Sequence, residues 1–275
     1  MKSVFTGAAW IGLAVSSAGI PLIAQLQGNS EKQLTCANAG YDSDRVRHCE
    51  IREQALPSIG RLSLDAGQNG GATVKGWLRG DVLVRARIEG SGETEAAAAI
   101  MASRVLVDGS GGQVRATGPE PGNNSWWSVS YEIFVPQVTD LTMKTNNGGI
   151  TISDVRGQIH FDANNGGVHL KRVVGDVSGA TVNGGIQVDL AGVTWDGRQM
   201  ELSTHNGGVT VAMPANYSAR IQAETGMGRI QSDFPLPPNA DARGQRLDFT
   251  VGAGGPPIHI TTGNGGIRLK RAETQ

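Results

Sequence analysis

The sequence has no excess of either charge. Its 24 Lys and Arg against 25 Asp and Glu leave a formal net charge of -1, so no overall field would gather nucleic acid or an anionic membrane surface. Aromatic residues are only 5% of the 275, which excludes a core built on large rings and favours small and β-branched side chains. With two cysteines in the whole chain, neither a disulfide-dense scaffold nor a multi-cysteine zinc module is available. Beyond residue 24 no apolar run is long enough to span a bilayer. There is no G-x-S-x-G elbow, P-loop, dinucleotide fingerprint or H-E-x-x-H, and no aspartate-bearing G-G-x-G-x-D calcium repeat. The sequence therefore names no catalytic residue, no metal ligand and no cofactor, and it argues against nucleic acid as a partner.

Glycine is abundant instead. Forty of them are about twice the usual ~7% share, as expected of an all-β chain with many tight corners. Residues 1–24 carry one cation, Lys2, then an apolar run from Phe5 to Val15, and small residues before Pro21 and Ala24. This is the pattern of a secretory signal peptide, cleaved after Ala18 or Ala24; an uncleaved membrane anchor is the alternative. Cys36 and Cys49 stand thirteen residues apart in the polar segment 25–59. In an oxidising compartment they are expected to pair, stapling that segment.

Residues 60–270 are dominated by an internal repeat. LTMKTNNGGITI (141–152), IHFDANNGGVHL (159–170), VSGATVNGGIQV (177–188), MELSTHNGGVTV (200–211) and IHITTGNGGIRL (258–269) align on Asn147, Asn165, Asn183, Asn206 and Asn264. IQAETGMGRIQS (221–232) is a degenerate copy, and LSLDAGQNGGATVKGW around Asn69 matches with a one-residue offset. The first two steps are 18 residues each. Every unit alternates apolar and polar residues on both sides of the Asn-Gly-Gly, which reads as strand, corner, strand. The corners are Asn69-Gly70-Gly71, Asn147-Gly148-Gly149, Asn165-Gly166-Gly167, Asn183-Gly184-Gly185, Asn206-Gly207-Gly208 and Asn264-Gly265-Gly266. Their glycines are expected to supply positive φ for a sharp bend. Second bends fall at Gly157, Gly175 and Gly197.

Two architectures fit. Asn-Gly between alternating strands is a hairpin signal, giving an antiparallel sandwich or meander. A constant period is what a β-solenoid requires, each coil setting its corner above the last so that asparagines ladder and inward Ile, Val and Leu form a narrow core. The solenoid is the expected fold, with the ladder broken at Gly226-Met227-Gly228-Arg229. Before residue 136 the strand-like runs are longer, and EAAAAIMA (95–102) reads as a short helix. The prolines at 235, 237 and 238 mark an excursion loop.

The Asn-Gly-Gly-Ile/Val units, with CEIRE (49–53), GQNGGATVKGW (67–77) and VSYEIFVP (128–135), resemble the bacterial adhesin-like family of β-strand-repeat domains. The resemblance spans about residues 45–270. It implies a β-repeat fold in an envelope or surface protein, and it implies no activity.

Candidate chemistry is thin. Alternation points His160, His169 and His259 outward, as surface histidines, and puts His205 at an exposed corner; His48 could join Cys36 and Cys49 as a third metal ligand, but with a single fitting histidine and no Cys-x-x-Cys spacing the disulfide is the expected reading. Asp154, Asp176, Asp189 and Asp196 share no column and read as turn-capping residues rather than a glycosidase pair. Trp126 and Trp127 are adjacent, so one faces in and one out. The outward ring, with Trp195 and Tyr131, could stack on a sugar. The expectation is a non-catalytic periplasmic, secreted or cell-surface protein of bacterial type. Its partner would be an envelope glycan or another envelope protein, and it would meet a membrane only through an uncleaved leader. A carbohydrate-active protein and a stress-linked regulatory one are the alternatives.

Overall fold

The computed structural model describes residues 34–37, 45–122, 124–236 and 244–272; the leader assigned to residues 1–24 and the prolines at 237 and 238 lie outside them. The described chain is all-β with one α-helix, and its strands form two ten-stranded mixed sheets.

Each Asn-Gly-Gly joins a strand of one sheet to a strand of the other. Going along the chain, β8 (Asp140–Asn147), β10 (Ile159–Asn165), β12 (Val177–Asn183), β14 (Met200–Asn206) and β19 (Pro257–Asn264) lie in the second sheet. The strands that follow their corners, β9 (Ile150–Ser153), β11 (Val168–Lys171), β13 (Ile186–Asp189), β15 (Val209–Met213) and β20 (Ile267–Arg271), lie in the first. No Asn-Gly-Gly therefore closes a hairpin. Neighbouring repeat strands pair parallel and in register, Ile159 with Leu141 and Val177, and Val168 with Ile150 and Ile186. An insertion between units leaves the register intact, since the 23-residue step still sets Asn183 opposite Asn206.

The first copy, β2 (Arg61–Asp65) and β3 (Ala72–Trp77), joins the same two sheets beside β8 and β9. Its extra residue is taken up at Gly67, whose φ of 72° no β-carbon residue adopts readily. The copies are not stacked in chain order. The degenerate unit, β16 (Ala219–Met227) with β17 (Ile230–Ser232), lies outside the last one: β19 sits between β14 and β16, and β20 between β15 and β17. An antiparallel strand, β18 (Arg246–Val251), then covers β16.

This order explains the degenerate corner. Met227 pairs with Asn264, the last asparagine of the row, so the degenerate corner lies beyond the ladder and not within it. The ladder is thus uninterrupted, contrary to the sequence expectation.

Inward residues of both sheets share one hydrophobic cluster, and each fully buried Ile, Leu or Val stabilises by about 1.5–3 kcal/mol. Size is matched between rungs. The Phe161 ring lies over Gly179 on the next strand, so close that a β-carbon there would sit 2.5 Å from three ring atoms.

At the other end, β1 (Val46–Pro57), β4 (Asp81–Gly92) and β7 (Trp126–Pro136) pair antiparallel as longer strands. The helix α1 (Glu95–Ser103) packs on them, buried through Ala98 and Ala102. Gly90 and Gly92 let it approach: a β-carbon on Gly90 would lie 2.3 Å from the Ala98 carbonyl oxygen. Arg52 of β1 donates to the carbonyls of Val105 and Ala102 at the helix C-terminus, a favourable place for a cation. His48 meets Glu95 at the N-terminal turn, 2.8 Å away. Cys36 and Cys49 are joined in a disulfide, tying residues 34–37 to β1. In β5 (Leu106–Asp108) and β6 (Gln113–Thr117), the second sheet reaches its edge.

Candidate functional site

The corner residues are occupied with one another. Asn147 donates its side-chain amide to the Asn69 side-chain oxygen at 3.1 Å, Asn165 to Asn147 and Asn183 to Asn165 at 2.8 Å, Asn206 to Asn183 at 2.9 Å and Asn264 to Asn206 at 2.7 Å. The first glycine of each corner is required by the corner of the neighbouring unit. A β-carbon on Gly148, Gly166, Gly184, Gly207 or Gly265 would fall 2.0–2.2 Å from the carbonyl oxygen of the corresponding glycine one rung away. None of these glycines, nor their partners Gly149, Gly167, Gly185, Gly208 and Gly266, has φ in the left-handed region. The expected positive φ is therefore absent: close backbone approach, rather than bend angle, selects glycine. The second glycine is less confined, with a β-carbon 3.2–3.5 Å from its nearest neighbour at Gly149, Gly167, Gly185, Gly208 and Gly266. At the first copy, Gly70 is equally crowded, 2.1 Å from the Val129 carbonyl, and Gly71 looser at 3.3 Å.

One determinant escaped the sequence reading. Two residues before the asparagine, or before Met227 in the degenerate unit, an inward threonine donates its hydroxyl to that same crowded carbonyl: Thr145 to Gly70, Thr181 to Gly166, Thr204 to Gly184, Thr262 to Gly207 and Thr225 to Gly265, at 2.7–2.9 Å. The recurring T-x-N-G-G in four units was the available signal, hidden because hydroxyl and apolar residues alternate alike at an inward position.

Chemistry is left to the outer faces. On the second sheet the register aligns Thr142, His160, Ser178, Glu201 and His259 in one row and Lys144, Asp162, Ala180, Ser203 and Thr261 in the next. Short side chains in the middle leave an open groove of about 590 Å³ over Ala180, Ser203, Thr261 and Gly263. The His205 ring leans over Gly263, where a β-carbon would approach its Nδ1 to 3.3 Å. Next to the second bends lie two adjoining depressions. One, about 420 Å³, is lined by Asp140, Thr142, Gln158, His160, Ser178 and Gln199. The other, about 560 Å³, is lined by Arg156, Trp195, Asp196 and the bend glycines Gly157, Gly175 and Gly197; Asp140, Gln158, Asp176 and Arg198 belong to both.

The carboxylates here are engaged. Asp176 accepts from the Arg198 Nε at 2.6 Å and from the Arg198 backbone N–H at 2.7 Å. That arginine's hydrogen bonds hold the carboxyl below its ordinary range, against a small opposing desolvation. Asp248, on β18, is lowered in the same way, chiefly by Arg220 and then Gln222. Asp196 pairs with Arg156 at 2.8 Å, and Asp140 accepts the Gln158 backbone N–H at 2.8 Å. Asp140 and Asp176 stand two rungs apart in one row, each seven residues before the asparagine of its own unit, a match that counting from the preceding asparagine hides. A general acid of a glycosidase needs a raised carboxyl, and Asp176 is shifted the other way.

The remaining sequence candidates are separated. His169 Nε2 is 2.7 Å from Asp189 on the first sheet, whose outer face carries Thr151, Gln187, Thr210, Arg268 and Lys270. His160 touches Ser178 and Asp162. Among the described residues, no three His, Cys, Asp or Glu are placed to hold a metal ion, and no helix is long and apolar enough to cross a membrane. Trp127 turns inward and gives its Nε1–H to Pro119, while Trp126 turns outward beneath the Arg47 guanidinium, 5.3 Å from its ring centre. Trp195 and Tyr131 offer no stacking surface, being 3% and 2% exposed within the core. Burial pushes the Tyr131 and Tyr217 hydroxyls far up.

No protein-family model matches the chain, and no curated protein does. Among solved structures, a candidate cell adhesion protein from Clostridium sporogenes superposes with a TM-score of 0.43 at 12% identity, over 82% of this chain and 100% of that one. A candidate lipid binding protein from Parabacteroides distasonis gives 0.35 at 12%, over 80% and 96%. A candidate adhesin from Bacteroides fragilis gives 0.35 at 10%, over 81% and 97%.

Proposed function

We propose that this chain is a non-catalytic β-repeat protein of the cell envelope or cell exterior, a solenoid-type stack whose outer faces serve as an adhesin-like surface or scaffold. The stack reading is supported by parallel pairing of successive units in constant register and by the unbroken asparagine ladder. An exterior location is supported by the Cys36–Cys49 bond, which persists in oxidising compartments.

One observation supports the absence of catalysis: the carboxylates lining the two depressions at the second bends are tied to arginines and backbone amides, with Asp176 held ionised. Such groups recognise and do not donate protons. The test is incubation of the pure protein with envelope polysaccharides while reducing ends and unsaturated products are followed. No product should appear with any of them. Turnover lost on Asp176→Asn would overturn the reading.

A further inference from the structure

We propose that the two adjoining depressions at the second bends form one binding groove for a neutral, extended oligosaccharide. The inference rests on the non-catalytic reading above and names the ligand class of that surface.

Charge comes first. Arg156 is paired with Asp196 and Arg198 with Asp176, and Asp140, which accepts the Gln158 backbone N–H, leaves the groove with a single negative charge beyond the two pairs. Neither a polyanion nor a polycation finds a field to enter. Apolar ligands are excluded by the lining, which presents Thr142, Gln158, His160, Ser178 and Gln199 around the ion pairs. These are amides, hydroxyls and an imidazole, each able to donate and accept. Adjacent hydroxyls of a sugar ring need this mixture.

Spacing comes second. The lining groups repeat from strand to strand, Thr142, His160 and Ser178 in register, with Asp140, Gln158 and Asp176 in the row just before the paired Leu141, Ile159 and Val177, joined by backbone hydrogen bonds from Leu141 to Gln158 and from Ile159 to Asp176. Their interval is that of neighbouring strands, ~4.8 Å, close to the width of one sugar ring. A chain laid across the strands would meet one set of partners per ring.

Third, the wall of the groove contains a donor with no partner. Trp195 is 3% exposed, and its Nε1–H finds no acceptor among the described residues. A buried indole N–H ordinarily has one. Its nitrogen lies just behind Gly197, at 2.7 Å from where a β-carbon would be, so a small movement at that glycine opens it to a ligand or water oxygen.

The experiment uses the whole chain, isotope-labelled, titrated with neutral hexasaccharides (cello-, xylo-, manno- and chito-hexaose), with amide shifts followed by NMR. At least one should shift signals of Gln158, His160, Ser178, Arg198 and Gln199 and leave the first sheet unmoved. His160→Ala and Gln199→Ala alter exposed side chains and should each weaken binding about three- to tenfold, the loss of one hydrogen bond. Trp195→Phe should weaken it while the melting temperature stays near the parent's, and Thr210→Ala on the first sheet should change nothing. The proposal is overturned if none of the four sugars moves these signals, if the shifts map elsewhere, or if all the groove variants bind like the parent. Such a failure with the protein inert toward polysaccharides would leave the non-catalytic reading standing; that reading fails only on turnover.

Discussion

Thr204 gives its hydroxyl proton to the carbonyl oxygen of Gly184, 2.8 Å away at the corner of the neighbouring unit. The same oxygen stands 2.0 Å from the place a β-carbon of Gly207 would take. Threonine and first glycine thus answer to one atom, the threonine satisfying it and the glycine making room for it.

A pair of opposite substitutions tests the threonine. Thr204→Val keeps the shape and leaves the Gly184 carbonyl buried without that donor, which should cost about 1–2 kcal/mol. In the second unit the equivalent inward position is Ala163, buried beside the same turn, and Ala163→Thr should supply the missing donor to Gly148 and stabilise by about 0.5–1 kcal/mol. Urea midpoints of the two variants, falling for the first and rising for the second, check both.

The two glycines of one corner should respond unequally. Alanine at Gly207 must displace backbone of the adjacent unit and should cost about 3 kcal/mol, whereas at Gly208 the nearest atom is 3.2 Å away and the cost should be about 1 kcal/mol or less. Equal losses in thermal unfolding would show that bend angle, and not close approach, governs the corner.

Much of this was legible beforehand, for a physical reason. Strand alternation and the recurring Asn-Gly-Gly are local signals, so the all-β class, the corner positions, the α1 segment and the Cys36–Cys49 bond could be read directly. The sequence could not disclose that Ile258–Leu269 slides between two earlier units, because strand neighbours are chosen by edges that become free only once the chain has folded. The positive φ expected at Gly148 and its equivalents failed for a related cause: a glycine is selected equally by φ and by a neighbour's proximity, and only coordinates distinguish them. The sugar-stacking role expected of Trp195 fails because its ring, although the residue lies between strands, fills the core beneath the bend.

Phe161 and Gly179 should behave as a unit. Gly179→Ala drives a methyl into the ring and is expected to cost about 2–3 kcal/mol. With Phe161→Leu already in place the same change should cost clearly less. A double-mutant cycle by chemical denaturation measures the coupling, and additive losses would deny the contact.

Reduction of the Cys36–Cys49 bond should lower stability by about 3 kcal/mol on the chain-entropy account. Cys36→Ser with Cys49→Ser should show the same loss without added reductant. The repeat strands should keep their hydrogen-exchange protection, since the bond joins β1 to residues outside the repeat.

Acid should loosen the second bends. Because Arg198 lowers the Asp176 carboxyl in the folded state, its contribution is present above the ordinary carboxylate range and is lost as pH falls through the lowered value. Asp176→Asn should flatten that acid limb in a stability profile taken below about pH 4. An unchanged limb would show the pair to be inert.

The stacked order is tested most directly by distances between spin labels on one outward row of the second sheet. Labels at Thr142 and His259 are separated by four strand intervals, ~19 Å, and labels at Thr142 and Gln222 by five, ~24 Å. The account predicts the longer distance for Gln222, although it is nearer in sequence; a shorter one, or two distances unrelated to the strand interval, would contradict it.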